Sequence, residues 1–339
     1  MRKRKRREKK KRIKAKWTKV WQDALYFLNL RSHPYGHHSK HSTNILADQQ
    51  LMTLRQFAVY LFNSTVLFLI TYIIAYITYQ LSVIFISSMF EIDSVLYYYE
   101  VMFPIGNASA LWTRFNILLI TISGPLVSLI MGAVYYRFLL PKKNFGPVAR
   151  LFFLWLSFHS FNMFFGAYLA GFITDQGFGY VINWLYLGFF VQLALAMLSL
   201  FAMMVIGYYA TKPLLETSNS YQRISHRNRK YFILTQLLVP WVIGGLILIL
   251  IKIPNKDPQH ENIIVYDLIV IATLLFAIVP TFFNKKASPD TLRFKSKKRL
   301  KFVWLFMVVA ILLILAYRLG LADGLYFYIR MAFRVAPYG

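Results

Sequence analysis

The chain has 339 residues, of which 58% are hydrophobic, 18% aromatic and only 15% charged, against about a quarter charged in soluble domains. A mean hydropathy of +0.48 beside a formal net charge of +26 excludes an ordinary soluble enzyme: the positive charge must sit at ends and connectors between nearly uncharged apolar runs. The absence of cysteine excludes disulfides, thiolate nucleophiles and Cys-ligated zinc.

Residues 1–16 form a basic tail, Arg2, Lys3, Arg4, Lys5, Arg6 and Arg7 among them, with Glu8 its single acid. Like charges this dense repel, so the tail is expected to be disordered on its own. Anionic lipid headgroups and ribosomal RNA phosphates, as at a translocon, both fit it through the same Coulombic attraction, and a bare topology signal fits as well. No cleavable signal peptide is expected, because the basic start runs into 17–30 rather than into a short apolar core. In the segment 17–53, Trp17, Trp21, Leu25 and Leu28 share one helical face and predict an amphipathic interfacial helix. His33, His37, His38 and His41 follow. His37 and His41 have a metal-like spacing, but Pro34, Gly36 and Ser39 favour a solvated loop.

Apolar runs at 54–90, 115–140, 151–174, 180–210, 231–251, 263–283 and 302–317 predict an all-α polytopic membrane protein, since about 20 residues cross the hydrocarbon core. That makes about seven crossings in a transmembrane domain spanning 54–318. The first run has no Gly or Pro turn and reads as one long, tilted helix. After it, the strand-like residues 95–103 and the turn Pro104-Ile105-Gly106-Asn107 predict a small β-hairpin lying against the membrane. The tail 319–339 carries Leu321, Leu325, Tyr328 and Phe333, a pattern for a second interfacial helix.

Orientation follows from the basic connectors. Lys142, Lys143 and Arg150, then Lys212, Arg223, Arg227, Arg229 and Lys230, then the 285–301 stretch with Lys297, Lys298 and Arg299 fall on one side; Arg114, Lys252, Lys256 and Arg318 fall on the other. The positive-inside rule puts the N-terminus in the cytoplasm and the C-terminus outside, in a bacterial-type inner membrane. The lipid bilayer and its anionic lipids are then standing partners.

Few residues within the runs are polar enough to carry chemistry. Gly124, Ser128 and Gly132 recur every four residues around Pro125, which makes a kinked helix with a small-residue packing face. His159 and Asn162, with Ser157 and Ser160, crowd one stretch, and Asp175 follows in an acidic turn. Asp267 is the other carboxylate close to a membrane run. Such groups are expensive in lipid, so they face protein or water. His159, Asn162, Asp175 and Asp267 therefore form a candidate polar contact site. They fit interhelical hydrogen bonding, a water-accessible transport path, or an acid–base pair of His159 with Asp175 for a lipid-linked substrate.

The middle of the chain resembles the site-2 proteases, a family of intramembrane zinc metalloproteases. Residues 95–106 look like the family's membrane-associated hairpin and Ser123-Gly124-Pro125-Leu126 like its Gly-Pro-Leu helix. Asn162 with Asp175-Gln176-Gly177 looks like its last motif. The resemblance covers roughly residues 70–180. Where it would place His-Glu-x-x-His, the chain reads Ala75-Tyr76-Ile77-Thr78-Tyr79-Gln80-Leu81-Ser82, and without those histidines and that glutamate no zinc-bound water nucleophile can be assembled. The resemblance thus implies a catalytically inactive relative: a scaffold or partner subunit that binds a membrane protein without cutting it, with no metal and no cofactor.

Overall fold

The computed structural model describes residues 54–142, 145–218, 229–284 and 302–328. The basic tail, the segment 17–53 and the stretch with Lys297, Lys298 and Arg299 lie outside the described residues. Among those described, the chain is mostly helical. Six helices are long and apolar enough to cross a membrane: α1 (Leu54–Met89), α2 (Arg114–Leu139), α3 (Pro147–Thr174), α5 (Phe189–Leu215), α6 (Arg229–Lys252) and α7 (Ile263–Phe283). A short α4 (Gly179–Trp184) separates α3 from α5, splitting the predicted run 180–210. The last apolar run forms α8 (Trp304–Gly320), shorter than the other six.

α1 and α3 are the centre of the bundle, with 72% and 67% of their most apolar window buried, whereas α5 buries only 17%. Lipid is as apolar as leucine, so close approach and polar pairing bring such helices together. Gly124, Ser128 and Gly132 are all buried on α2. A Cβ at Gly124 would stand 2.9 Å from the Tyr79 ring of α1, and one at Gly132 would stand 3.0 Å from Phe161 of α3, so the small-residue face seats one aromatic ring from each central helix. Gly244 of α6 likewise makes room for Phe68.

Helix irregularities follow from proline. Pro240 has no N–H to offer the carbonyl of Gln236, four residues back. A π-helical turn, Leu234–Leu238, precedes it, and the Ser64 hydroxyl of α1 donates to the Gln236 carbonyl at 2.5 Å while receiving the Trp155 indole N–H of α3 at 2.9 Å. The α7 helix is interrupted near Leu274. There the Asn162 side chain donates to the Val270 carbonyl at 2.6 Å and the Trp241 indole donates to the Ile271 carbonyl at 2.8 Å. Side chains from α3 and α6 thus satisfy backbone that lipid could not.

Strand β1 (Ser94–Leu96) pairs antiparallel with β2 (Val101–Met102), with Val95 opposite Met102. The sequence placed the turn of a small hairpin at Pro104–Asn107; the strands instead turn at 97–100, and all three residues of β1 are buried. A third strand, β3 (Leu325–Phe327), pairs with β1 in the order β2-β1-β3. This corrects the predicted interfacial helix at Leu325 and Tyr328. The chain turns back at Gly324, whose φ of +83 suits glycine, and tertiary strand pairing then overrides the helical spacing.

Candidate functional site

Up–down threading gathers the sheet, α4 and the 253–262 connector at one end of the bundle. Seven of the thirteen acidic residues lie in those connecting segments: Glu91, Asp93, Glu100, Asp175, Asp257, Glu261 and Asp323. The same end holds a cavity of about 400 Å³ walled by α1, α2, α3 and α7 and roofed by the hairpin and α4. Its size falls in the range of small-molecule sites, about 300–1,000 Å³.

Tyrosines dominate its inner wall. Tyr76 and Tyr79 of α1 line it together with Gln80, and Tyr266 faces them from α7. Trp112, Tyr180 and Trp184 line its outer part, and the exposed Asn107 and Gln259 stand at its rim. The hydroxyl of the buried Tyr76 makes no hydrogen bond of standard geometry. On α2, Pro125 removes the N–H that the carbonyl of Thr121 would otherwise receive, and Thr121 lines the cavity.

Two carboxylates reach the cavity from different elements. Asp267 lies one turn into α7, and its Oδ2 is 2.7 Å from Nζ of Lys252, the last residue of α6. The Lys252 side chain is 4% exposed and that of Asp267 14%. The same ammonium stands 4.0 Å from the Tyr76 ring centre and 3.4 Å from the Tyr72 hydroxyl. The second carboxylate, Glu100, sits in the turn between β1 and β2. It accepts the Gln259 backbone N–H at 2.7 Å and lies 2.6 Å from Nδ1 of His260. Burial, reinforced by the Glu100 charge, pushes the Tyr99 phenol up to about 12. The same two causes raise the Tyr180 phenol above its ordinary value. Both rings therefore present neutral hydroxyls.

The hairpin that carries Glu100 is clamped. The Tyr98 hydroxyl donates to the Ile253 carbonyl and accepts the Asn255 N–H at 2.6 Å. The Arg318 guanidinium stacks 4.0 Å over the Tyr98 ring while donating to the Ile251 and Ile253 carbonyls, and the Tyr317 hydroxyl donates to the Tyr98 carbonyl. Packing and charge-assisted hydrogen bonds thus hold the roof from α6 and α8.

The four sequence-derived candidates do not converge. Only Asp267 lines the cavity. His159 is buried among the rings of Phe68, Tyr72 and Trp155, with Nε2 unpartnered. Asn162 is an interhelical hydrogen bonder, its side chain passing over Gly166. Asp175 caps α3 in the left-handed conformation, exposed, and accepts from Asn183. His159 and Asp175 are sixteen residues apart on one helix, about 24 Å at 1.5 Å per residue, so they form no acid–base pair.

Glu100, His260 and Lys252 were missed as site residues, because their pairings join segments that sequence patterns treat separately. One signal was legible: Tyr72, Tyr76 and Tyr79 recur at spacings of four and three, a tyrosine stripe on one face of α1. No group of three or more His, Asp or Glu side chains able to hold a metal ion occurs among the described residues. Comparison with protein-family models, with curated proteins and with solved structures found no match.

Proposed function

We propose that this protein is a non-enzymatic multi-pass membrane protein, a scaffold or partner subunit that binds through the cavity at its acidic end. In this reading α8 is a seventh span, the basic connectors and the N-terminus are cytoplasmic, and the cavity opens on the opposite side. The carrying observation is the coincidence of a preformed aromatic cavity with the acidic end of a charge-polarised bundle. Its two carboxylates are each tied up, Asp267 by Lys252 and Glu100 by His260 and the Gln259 N–H, which suits holding a ligand better than transferring a proton. The resemblance to the site-2 proteases belongs to the same reading. The stretch where it would place His-Glu-x-x-His contributes Tyr76, Tyr79 and Gln80 to the cavity wall, residues that bind but cannot activate a zinc-bound water.

A photo-crosslinking residue placed at Asn107 or Gln259 is expected to trap a partner in intact membranes, and Thr121→Trp, which fills the cavity, is expected to abolish the adduct. Equal adducts from Lys142, at the other end of the bundle, or adducts that survive Thr121→Trp, would remove the reading.

A transporter is the second reading, favoured by the interrupted α7 helix and the Lys252–Asp267 pair within membrane helices. It requires water to pass from the cavity to the basic end. Because the chain has no native cysteine, single cysteines at Val270, Ala277 and Thr281 can be probed with a polar thiol reagent. Protection at Ala277 and Thr281 in every condition would exclude it.

A further inference from the structure

We infer that the cavity is a site for an organic ammonium ion, and that Glu100 and the aromatic rings of its outer part form the cation subsite. The inference rests on the reading of the cavity as a ligand site and adds the charge of what enters it.

Three independent observations carry it. The first is an internal one: the protein already seats an ammonium against this wall. Nζ of Lys252 stands 4.0 Å from the centre of the Tyr76 ring and 2.7 Å from Asp267, an aromatic face plus a carboxylate. That is the combination by which rings and anions hold amines and quaternary ammonium groups. The second is that the outer part repeats the combination with no lysine or arginine on the carboxylate. Glu100 lies beneath the roof, Trp112, Tyr180 and Trp184 line the same space, and the amide side chains of Asn107 and Gln259 stand at the rim. Glu100 is 4% exposed, and its partners are a backbone N–H and the imidazole of His260. Two carboxylates, Glu100 and Asp267, thus line the cavity, and the one lysine beside them, Lys252, is paired with Asp267.

The third observation is the field around the mouth. Glu91, Asp175, Asp257 and Glu261 are exposed on the surrounding segments and, with Asp93 and Asp323, outnumber Arg114, Lys256 and Arg318 at the same end. A cleft with an excess of one sign between low-dielectric walls concentrates ions of the other. The tyrosine hydroxyls point the same way, since Tyr99 and Tyr180 stay neutral beside Glu100 and add acceptor lone pairs without positive charge. An anionic ligand would meet the carboxylates Glu100 and Asp267 in the cavity lining, which holds no lysine or arginine.

An ammonium group can come from a soluble amine or from a lipid headgroup, and one experiment separates them. The full-length protein is reconstituted in phosphatidylglycerol nanodiscs and titrated with choline and with its uncharged isostere 3,3-dimethyl-1-butanol, following tryptophan fluorescence. Saturable choline binding at least tenfold tighter than the isostere is expected, weakened tenfold or more by Glu100→Gln and by Trp184→Leu. Trp184 is half-buried on the short α4, so that variant keeps the test valid if Glu100→Gln fails to fold. Replacing part of the phosphatidylglycerol by phosphatidylcholine assigns the source. A raised apparent Kd for choline identifies a lipid headgroup, and an unchanged one a soluble amine. Equal binding of choline and the isostere would overturn the inference while leaving a ligand cavity in place. Absence of saturable choline binding, or choline binding untouched by both variants, would also overturn it. The crosslinking test above fails or succeeds separately.

Discussion

Tyr99 and Lys252 show how single residues hold the cavity in shape. The Tyr99 phenol is raised from 10 to about 12, so the fold favours its neutral form. The sign follows from linkage: the stabilisation is complete below about pH 10 and is lost as pH rises towards about 12. Tyr99→Phe is therefore expected to reduce the alkaline loss of thermal stability, with tyrosinate absorbance in the same pH window falling by one residue's worth. A persisting full amplitude would show that Tyr99 does not titrate there. For the Lys252–Asp267 pair, removing one partner strands a buried charge, at a cost of about 3–5 kcal/mol. Lys252→Met and Asp267→Asn should each lower the unfolding midpoint sharply, and the double variant should recover much of the loss. Additive losses would show that the two side chains act independently. Asn162→Ala should cost far less, about 0.6 kcal/mol, as is typical of interhelical hydrogen bonds in membranes.

Helix contacts are governed by where backbones must touch. A Cβ at Gly207 on α5 would lie 1.8 Å from the Ala277 carbonyl of α7, and neither atom belongs to a flexible side chain. Gly207→Ala is expected to separate the two helices and cost at least the 1–3 kcal/mol typical of overpacking. Gly188→Ala, with nothing within 4 Å, should leave the melting temperature unchanged. Equal midpoints for both variants would contradict the α5–α7 contact. The apolar runs made the existence and order of six long helices legible in the sequence, and the Gly124-Ser128-Gly132 spacing made one packing face legible. The break in α7 was not. It depends on Asn162 and Trp241 arriving from other helices to satisfy Val270 and Ile271, and periodicity within one segment carries no trace of that. The strand at Leu325 was hidden for the same reason: its partner, Leu96, is 229 residues away.

For the molecule as a whole, charge and architecture coincide. Among the described residues Arg137, Lys142, Arg150, Lys212, Arg229 and Lys230 stand at one end, and seven acids and the cavity at the other. Under the proposed orientation, single cysteines at Asp323 and Asn107 should react with an impermeant thiol reagent from outside intact cells, and one at Lys142 only after lysis. The reverse pattern would invert the topology and place the cavity in the cytoplasm. The site itself was poorly legible. Asp267 stood out because a carboxylate close to an apolar run is costly, but its cation, Lys252, read as an ordinary flanking residue. Glu100 fell inside the strand-like stretch 95–103 with nothing to mark it as a site residue. Their roles exist only once segments 15 and 160 residues apart are brought together by folding.

The β2-β1-β3 order has a consequence for biogenesis. Strand β1 is made early, whereas the Arg318 clamp comes with the last turn of α8 and β3 only after it. During synthesis Glu100 waits for His260, and the hairpin waits longer still for its third strand. The cavity is thus among the last features to mature, and its roof can serve as a check that the C-terminal helices have inserted. A nascent chain halted before α8 should expose a hairpin that protease trims, while the finished chain resists.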